Sequence, residues 1–411
     1  MKGNNKDLKI FTTNIEQEAV DQINLLLEQE PFKYCKVRIM PDVHAGKGCV
    51  IGFTADLGKK VIPNIVGVDI GCGMLCVELG KIDIDLQKFD LVVNKYIPAG
   101  RNIRDQKLMD FEDIKNLYCL RELKETNKFN RAIGTLGGGN HFIELNIDDD
   151  NNKYLVIHTG SRNLGKQVAD YYQNLAIELC SGKEEMFKRK EEIIKTYKEQ
   201  GRKQEIQKAL KELEKEYKNN KPILPNELCY LEGKYREMYL HDMEICQKYA
   251  SHNRTSIANE ILKNYLSKEE YEELYERYDF NVFETIHNYI SFEDNIVRKG
   301  AIRANKGERV IIPINMRDGA IIAVGKGNED WNNSAPHGAG RIMSRMKARR
   351  TINFDEFKES MQGIYTTSVV EETIDEAPFA YKPMQEIINN IKDTVEIERI
   401  IRPIYNFKAK N

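Results

Sequence analysis

At 411 residues, with 62 basic and 64 acidic side chains, the chain has a formal net charge of −2, which excludes a uniformly basic surface and confines any nucleic-acid contact to a local patch. That length is too great for a small stapled module and sufficient for one large domain, or two smaller ones, around a recessed site. The opening MKGNNKDLKIFTTNIEQEAV lacks a signal-peptide core, no stretch offers about 18 consecutive apolar residues, and eight cysteines without a CxxC pair fit a reducing compartment, so a soluble cytoplasmic protein without membrane association is expected.

In chain order, Lys36–Leu79 alternates short β-rich runs (VRIM, CVIGF, VIPNIVGVDI, MLCVEL) with glycine-bearing turns, the pattern of buried strands joined by tight loops. Similar runs recur at Asn140–Leu145 and Tyr154–His158. From Lys183 to Asn220 the composition shifts to strong helix formers with apolar residues at helical spacing, which predicts a solvated helical hairpin inserted at 183–220 in a domain spanning 1–411. Helical signals continue through Glu232–Tyr278, and β-type runs return at Arg309–Ile312 and Ala320–Val324. Arg341–Arg350 then reads as a helix, and IIRPIYNFK as a closing strand. With no fixed-period repeat, solenoids and propellers are excluded. The predicted class is α+β: a single large catalytic domain with mixed β-sheets around a recessed metal site, plus the helical insertion.

Five of the seven histidines, His44, His141, His158, His287 and His337, sit in apolar or turn-like segments beside glycine, asparagine or acidic residues. In NIVGVDIGCGM, Asp69 and Cys72 would point to opposite faces of a regular strand, so they could share an ion only if the flanking glycines bend the chain. A thiolate and a carboxylate so placed suit manganese or zinc; the alternative is a buried cysteine beside a turn aspartate. GTLGGGNHFIEL sets three glycines before Asn140 and His141, where backbone N–H groups can approach an anion, or where a flexible loop simply leads into a strand. YLVIHTGSRNLGK ends an apolar strand at His158 and places Arg162 to grip a phosphate bidentately. Gly160 to Lys166 has the spacing of a P-loop, but Gln167 stands where Ser or Thr would hold magnesium, so that reading is set aside. His287 and Asn288 are read on a short helix, and His337, before Gly338, Ala339 and Gly340, at the start of a basic helix that would attract a phosphate. One carboxylate, one thiol, several histidines and a glycine-rich loop describe a metal-assisted phosphoryl or nucleotidyl transfer centre, with the substrate left open.

The motifs MPDVHAGKG, GVDIGCGM, GGGNHFIE, HTGSR, the IHN segment, RKGA, VGKGN and HGAGR stand in the order seen in RtcB-type RNA ligases, and from about Met40 to the terminal YNFKAK the chain resembles that family. The resemblance implies GTP- and manganese-dependent joining of 2′,3′-cyclic phosphate or 3′-phosphate RNA ends, from tRNA halves or broken RNA, to 5′-hydroxyl ends. It implies a pair of manganese ions bridged by Cys72, with Asp69 and His141 on one and His158 and His287 on the other. His337 becomes the nucleophile that takes up GMP. Asn140, His141, Phe142, Ile143, Glu144, His287, Asn288, Pro313, Ile314, Asn315, Met316, His337, Gly338, Ala339, Gly340 and Lys408 become the guanylate-binding set, and Arg162 a contact to RNA phosphate. No KxDG lysine motif of the ATP-dependent ligases is present.

One turn departs from the pattern. Where the family reads close to IPGSMG followed by serine, this chain reads IPINMRDGA, with Ile314, Asn315, Arg317 and Ala320, which bears on nucleotide preference and marks a divergent paralogue. Two other classes of function stay open: a dinuclear-metal phosphoesterase, which would not need His337, and a non-catalytic RNA-binding paralogue. The sequence does not fix the oligomeric state.

Overall fold

The computed structural model describes residues 7–409 apart from 33, 57, 219, 223 and 277–281. In chain order its strands are β1 (Leu8–Ile10), β2 (Val37–His44), β3 (Ile51–Asp56), β4 (Gly73–Gly80), β5 (Phe142–Ile147), β6 (Lys153–Thr159), β7 (Val282–Ile286), β8 (Asn288–Ile290), β9 (Ile296–Lys299), β10 (Ala301–Arg303), β11 (Arg309–Asn315), β12 (Gly319–Gly325), β13 (Ser334–Pro336), β14 (Tyr365–Thr366) and β15 (Val395–Lys408). An eight-stranded sheet runs β11-β12-β15-β5-β6-β4-β7, with β14 beside β15. A five-stranded sheet runs β1-β2-β3-β9-β8, and β10 pairs with β13.

The large sheet curls until its end strands meet. Arg309 on β11 ion-pairs with Glu78 on β4 and lies 4.5 Å over the Phe283 ring on β7, so the seam of a nearly closed barrel is bridged by side chains. Both faces are buried, which explains why these strands read as continuous apolar runs. Inward, Met74, Cys76, Tyr154, Val156, Ile311, Ile322 and Ile401 fill one end. Outward, Leu75, Val77, Ile143, Leu145, Leu155 and Ile157 pack on Ile257 and Ile261 of the long helix Gly233–Tyr265. The inner face turns polar at the opposite mouth, where Glu144, His158, Asn406 and Lys408 are buried.

Three local expectations change. VIPNIVGVDI is not a strand: Pro63 pre-sets the first turn of a short helix, Pro63–Val66, and Gly67, at φ +102°, ends it in a conformation L side chains avoid. His287 lies between β7 and β8 rather than on a helix, because the β-branched and aromatic residues on either side pair with β4 and β9. The basic helix covers only Arg345–Thr351, capped by Ser344 Oγ, so His337 follows β13 and stands at no helix start. Helices Lys183–Glu199 and Ile206–Lys218 lie antiparallel, joined by Arg189–Glu216 and Lys190–Glu214 ion pairs. Among the described residues no helix is long and apolar enough to cross a membrane.

Candidate active site

The metal-ligating residue types converge at the polar mouth of the barrel. Asp69 to Cys72 forms a turn, with the Cys72 N–H donating to the Asp69 carbonyl at 3.1 Å and the Gly71 N–H to the Asn288 carbonyl at 2.8 Å. Gly71 has φ +69°, and a Cβ there would stand 2.9 Å from the Gln247 Cα, so this bend needs glycine. It turns Asp69 and Cys72 toward His141 at the entry to β5, His158 near the end of β6, and His287. Cys72 Sγ is 3.3 Å from His158 Nε2 and 3.6 Å from His141 Nε2. His141 Nε2 is 3.0 Å from Asp69 Oδ2, and His158 Nε2 is 3.4 Å from His287 Nε2. Donor atoms fall into two groups sharing Cys72, one with Asp69 and His141 and one with His158 and His287, each within 4.8 Å.

These groups fit a cation better than they fit one another. His141 Nδ1 faces the Leu136 carbonyl at 2.9 Å and His158 Nδ1 the Asn140 carbonyl at 3.2 Å. Carbonyls only accept, so each ring carries its proton on Nδ1 and turns an Nε2 lone pair to the centre. Burial, reinforced by neighbouring imidazoles, pushes His158 and His287 well below the usual histidine range. Burial and then Asp69 push the Cys72 thiol well above its ordinary value; a bound divalent cation reverses that and favours thiolate. His287 Nδ1 is buried without a hydrogen-bond partner among the described residues. The scaffold comes from the long helix: Arg254 donates to the Gly71 and Thr159 carbonyls, and Asn253 to those of Thr135 and Gly160.

Beside this centre lies a cavity of about 200 Å³ lined by Asn140, Phe142, Glu144, His158, His287, Pro313–Met316, His337–Gly340, Arg345, Glu376, Tyr381 and Lys408. His337 Nδ1 is 2.6 Å from Oδ2 of the fully buried Asp42, which leaves Nε2 as the ring's available lone pair. The His337 and His287 ring centroids are 4.8 Å apart. Gly340 adopts φ +74°, and a Cβ there would meet the Asp42 carbonyl oxygen at 2.2 Å. The small residues after His337 therefore serve close packing on β2 rather than a helix start. At the far wall Lys408 ion-pairs with Glu376 at 2.9 Å. Burial raises Glu376, yet Lys408, Arg345 and Arg341 outweigh it and hold the carboxyl at about 2. Glu144 differs: burial lifts it to about 7 despite Lys408 and Asn406.

A second cavity, about 650 Å³, opens on the other side of the metal ligands, where Asp69 and His141 share a wall with Arg101, Lys128, Arg162 and Lys166. Arg162 donates to Thr135 Oγ1 and the Gly100 carbonyl, and its guanidinium fills the space where a Gly137 Cβ would lie. The P-loop-like segment holds no phosphate cradle: the Ser161 N–H donates to Asp69 Oδ1 at 3.1 Å.

Three members of the expected binding set do not line this first cavity. Ile143 faces the outer core by strand alternation. Asn288 braces the Asp69 turn, donating to the Asp69 carbonyl and accepting from the Gly300 N–H. His141 lines the second cavity. Sequence reasoning misses Asp42, although an acid inside the apolar MPDVH strand is a signal, and misses Arg345, Glu376 and Tyr381, which no local pattern marks.

The family model described as "tRNA-splicing ligase RtcB" matches residues 26–118 and 119–409. The chain is similar to the RNA-splicing ligase RtcB of Escherichia coli (strain K12), at 29% identity over 98% of each chain. It is similar as well to the tRNA-splicing ligase RtcB of Nanoarchaeum equitans, at 26% identity over 90% of this chain and 87% of that one. The tRNA-splicing ligase RtcB of Methanococcus maripaludis is 24% identical over 94% and 90%.

Proposed function

The chain belongs to the RtcB family of RNA ligases, and from that premise we propose that it joins 3′-phosphate or 2′,3′-cyclic phosphate RNA ends to 5′-hydroxyl ends through a histidine–GMP intermediate on His337. The observation that carries this reading is the Asp42–His337 pair at 2.6 Å, set beside two metal-ligand groups. Asp42 accepts the hydrogen bond from Nδ1–H, which fixes the tautomer and directs the Nε2 lone pair outward. Nε2 attacks the α-phosphorus of GTP, the N–P bond forms, and pyrophosphate leaves with the electrons of the broken P–O bond. GMP then passes to the RNA 3′-phosphate, and the 5′-hydroxyl oxygen displaces it.

Asp69, Cys72 and His141 would hold one manganese ion, and Cys72, His158 and His287 a second, supplying charge neutralisation at phosphate oxygens. Around the guanylate, Glu144 would accept base N–H groups, Lys408 would donate, and Asn140 with the His337–Gly340 segment would frame the phosphate side. The divergent turn contributes through Pro313, Ile314 and Met316, since the Asn315 side chain is engaged by Asp318 and by the Arg317 and Asp318 N–H groups. The second cavity gives RNA a separate approach, with Arg162 facing a phosphate. Such a reaction requires RNA ends as its partners.

A dinuclear phosphoesterase would use the same ligands to activate water, but would have no use for an oriented histidine. Incubation with α-labelled GTP and manganese separates the two. The expected result is acid-labile label on the wild type, none on a folded, metal-loaded His337→Ala, and label without joining on Arg162→Ala. A wild type that hydrolyses RNA phosphates without retaining label would overturn the ligase reading.

A further inference from the structure

Asp42 orients two imidazoles. Its carboxylate holds His337 Nδ1 at 2.6 Å, and its backbone carbonyl accepts from His44 Nδ1 at 2.9 Å. A carbonyl has no proton to give, so His44 keeps its own on Nδ1 and leaves Nε2 as a lone pair. His44 ends β2, where the pairing with β3 shifts register between Ile39 and His44. Irregularities of this kind re-aim side chains, and His44 lines the same cavity as His337, His158 and His287. The orienting carbonyl is itself held in place by close packing on Gly340, where a Cβ would stand 2.2 Å from its oxygen. Burial pulls His44 down to about 4, with Asp42 opposing and His337 and Arg341 reinforcing it, so the ring enters the reaction neutral. Neither metal-ligand group includes His44.

We propose that His44 is the general base of the joining step, accepting the proton of the RNA 5′-hydroxyl as that oxygen attacks the guanylylated 3′-phosphate. The inference rests on the ligase reading above. His337 Nε2 faces the α-phosphorus of GTP, and once GMP has moved to the RNA, the 3′-phosphorus stands one bridging oxygen from that same α-phosphorus. The attacking hydroxyl therefore arrives beside His337, in the cavity lined by the second oriented imidazole. The carboxylates there are already engaged: Asp42 by His337, Glu376 by Lys408 and Glu144 by Asn406. In the step itself, the bond from the 5′-oxygen to phosphorus forms, and the P–O bond to GMP breaks with its electrons leaving on GMP. The hydroxyl proton passes to His44 Nε2 and from there to solvent. Negative charge on the substrate phosphates favours the imidazolium and offsets the burial that disfavours it.

The test gives the full, manganese-loaded chain a preformed RNA whose 3′-phosphate already carries GMP, together with a 5′-hydroxyl strand, so that sealing is read apart from the earlier steps. Labelling of His337 by α-labelled GTP is measured in parallel. His44→Ala removes the ring, whereas His44→Asn keeps an N–H donor for the Asp42 carbonyl and lacks a basic nitrogen. The expected result is that both variants label His337 within a few-fold of the wild type and seal about 100-fold or more slowly, with added imidazole restoring sealing to His44→Ala. Sealing by His44→Asn at the wild-type rate would reduce the ring to a support for the Asp42 carbonyl and overturn the proposal. Equal loss of labelling and sealing in both variants would overturn it as well, by placing His44 in nucleotide binding or folding. A wild type that neither labels nor seals would overturn the ligase reading itself, an outcome distinct from a sealing wild type whose His44 variants seal equally fast.

Discussion

Asp42 and Glu144 are both buried carboxylates at the site, and their partners give them opposite work. Asp42 accepts from both the backbone N–H and Nδ1 of His337, so Asp42→Asn should leave metal content intact and lower the rate of guanylylation about 100-fold or more, the scale of an oriented acid–base pair. Single-turnover labelling measures it, and an unchanged rate would reduce Asp42 to a packing role. Glu144 titrates at about 7 in the folded protein because burial outweighs Lys408 and its amide partners. The raised value means that the neutral form favours folding: that contribution is complete below the unfolded carboxyl's pKa of about 4.3 and is lost as pH rises through about 7. Denaturant titrations should therefore show the wild type losing ~3 kcal/mol relative to Glu144→Gln between pH 5 and pH 8. A constant difference across that window would show that Glu144 is not so perturbed. Glu376, held at about 2, loses its stabilising contribution only as pH falls below the ordinary carboxyl range, so the two do not mask each other.

At the scale of elements, β5 separates chemistry from packing within consecutive residues. Glu144 faces the cavity, while Ile143 is fully buried against the outer helix. Ile143→Ala should cost ~2–5 kcal/mol in denaturant unfolding through a cavity in that core, with little change in the nucleotide concentration that half-saturates guanylylation. A large rise in that concentration at constant stability would instead put Ile143 in the binding site. The same alternation explains what the sequence could and could not disclose. Cys72, His141 and His158 are legible because ligand-type residues beside glycines or at strand ends are rare in ordinary cores. His337 is legible through the glycines around it, although their reason is contact with β2 and not a helix start. His287 is misread as helical because a short apolar segment carries no decisive period. Glu376, paired with Lys408 across 32 residues, leaves no local trace, since only folding brings a charge on a 3-10 turn to the end of β15.

For the whole molecule, the helical hairpin leaves and rejoins the chain at one place. A Cβ on Gly182 would approach Asn220 to 3.9 Å, so the two ends of the insertion are close enough for a short linker. Replacing residues 183–218 with a few glycines and serines should leave manganese content and GMP labelling of His337 within a few-fold of the wild type, read by metal analysis and autoradiography. Loss of both would make the hairpin part of the folding unit that carries the site. The position of β15 sets a stricter order. It lies between β12 and β5, and its last residue, Lys408, completes a wall of the cavity beside His337. Without it β12 and β5 each lack a neighbour, so a chain stopped at about residue 390 holds two half-sheets with open edges and no finished pocket. A chain interrupted before residues 395–408 therefore offers two open sheet edges to any other chain in place of the missing strand.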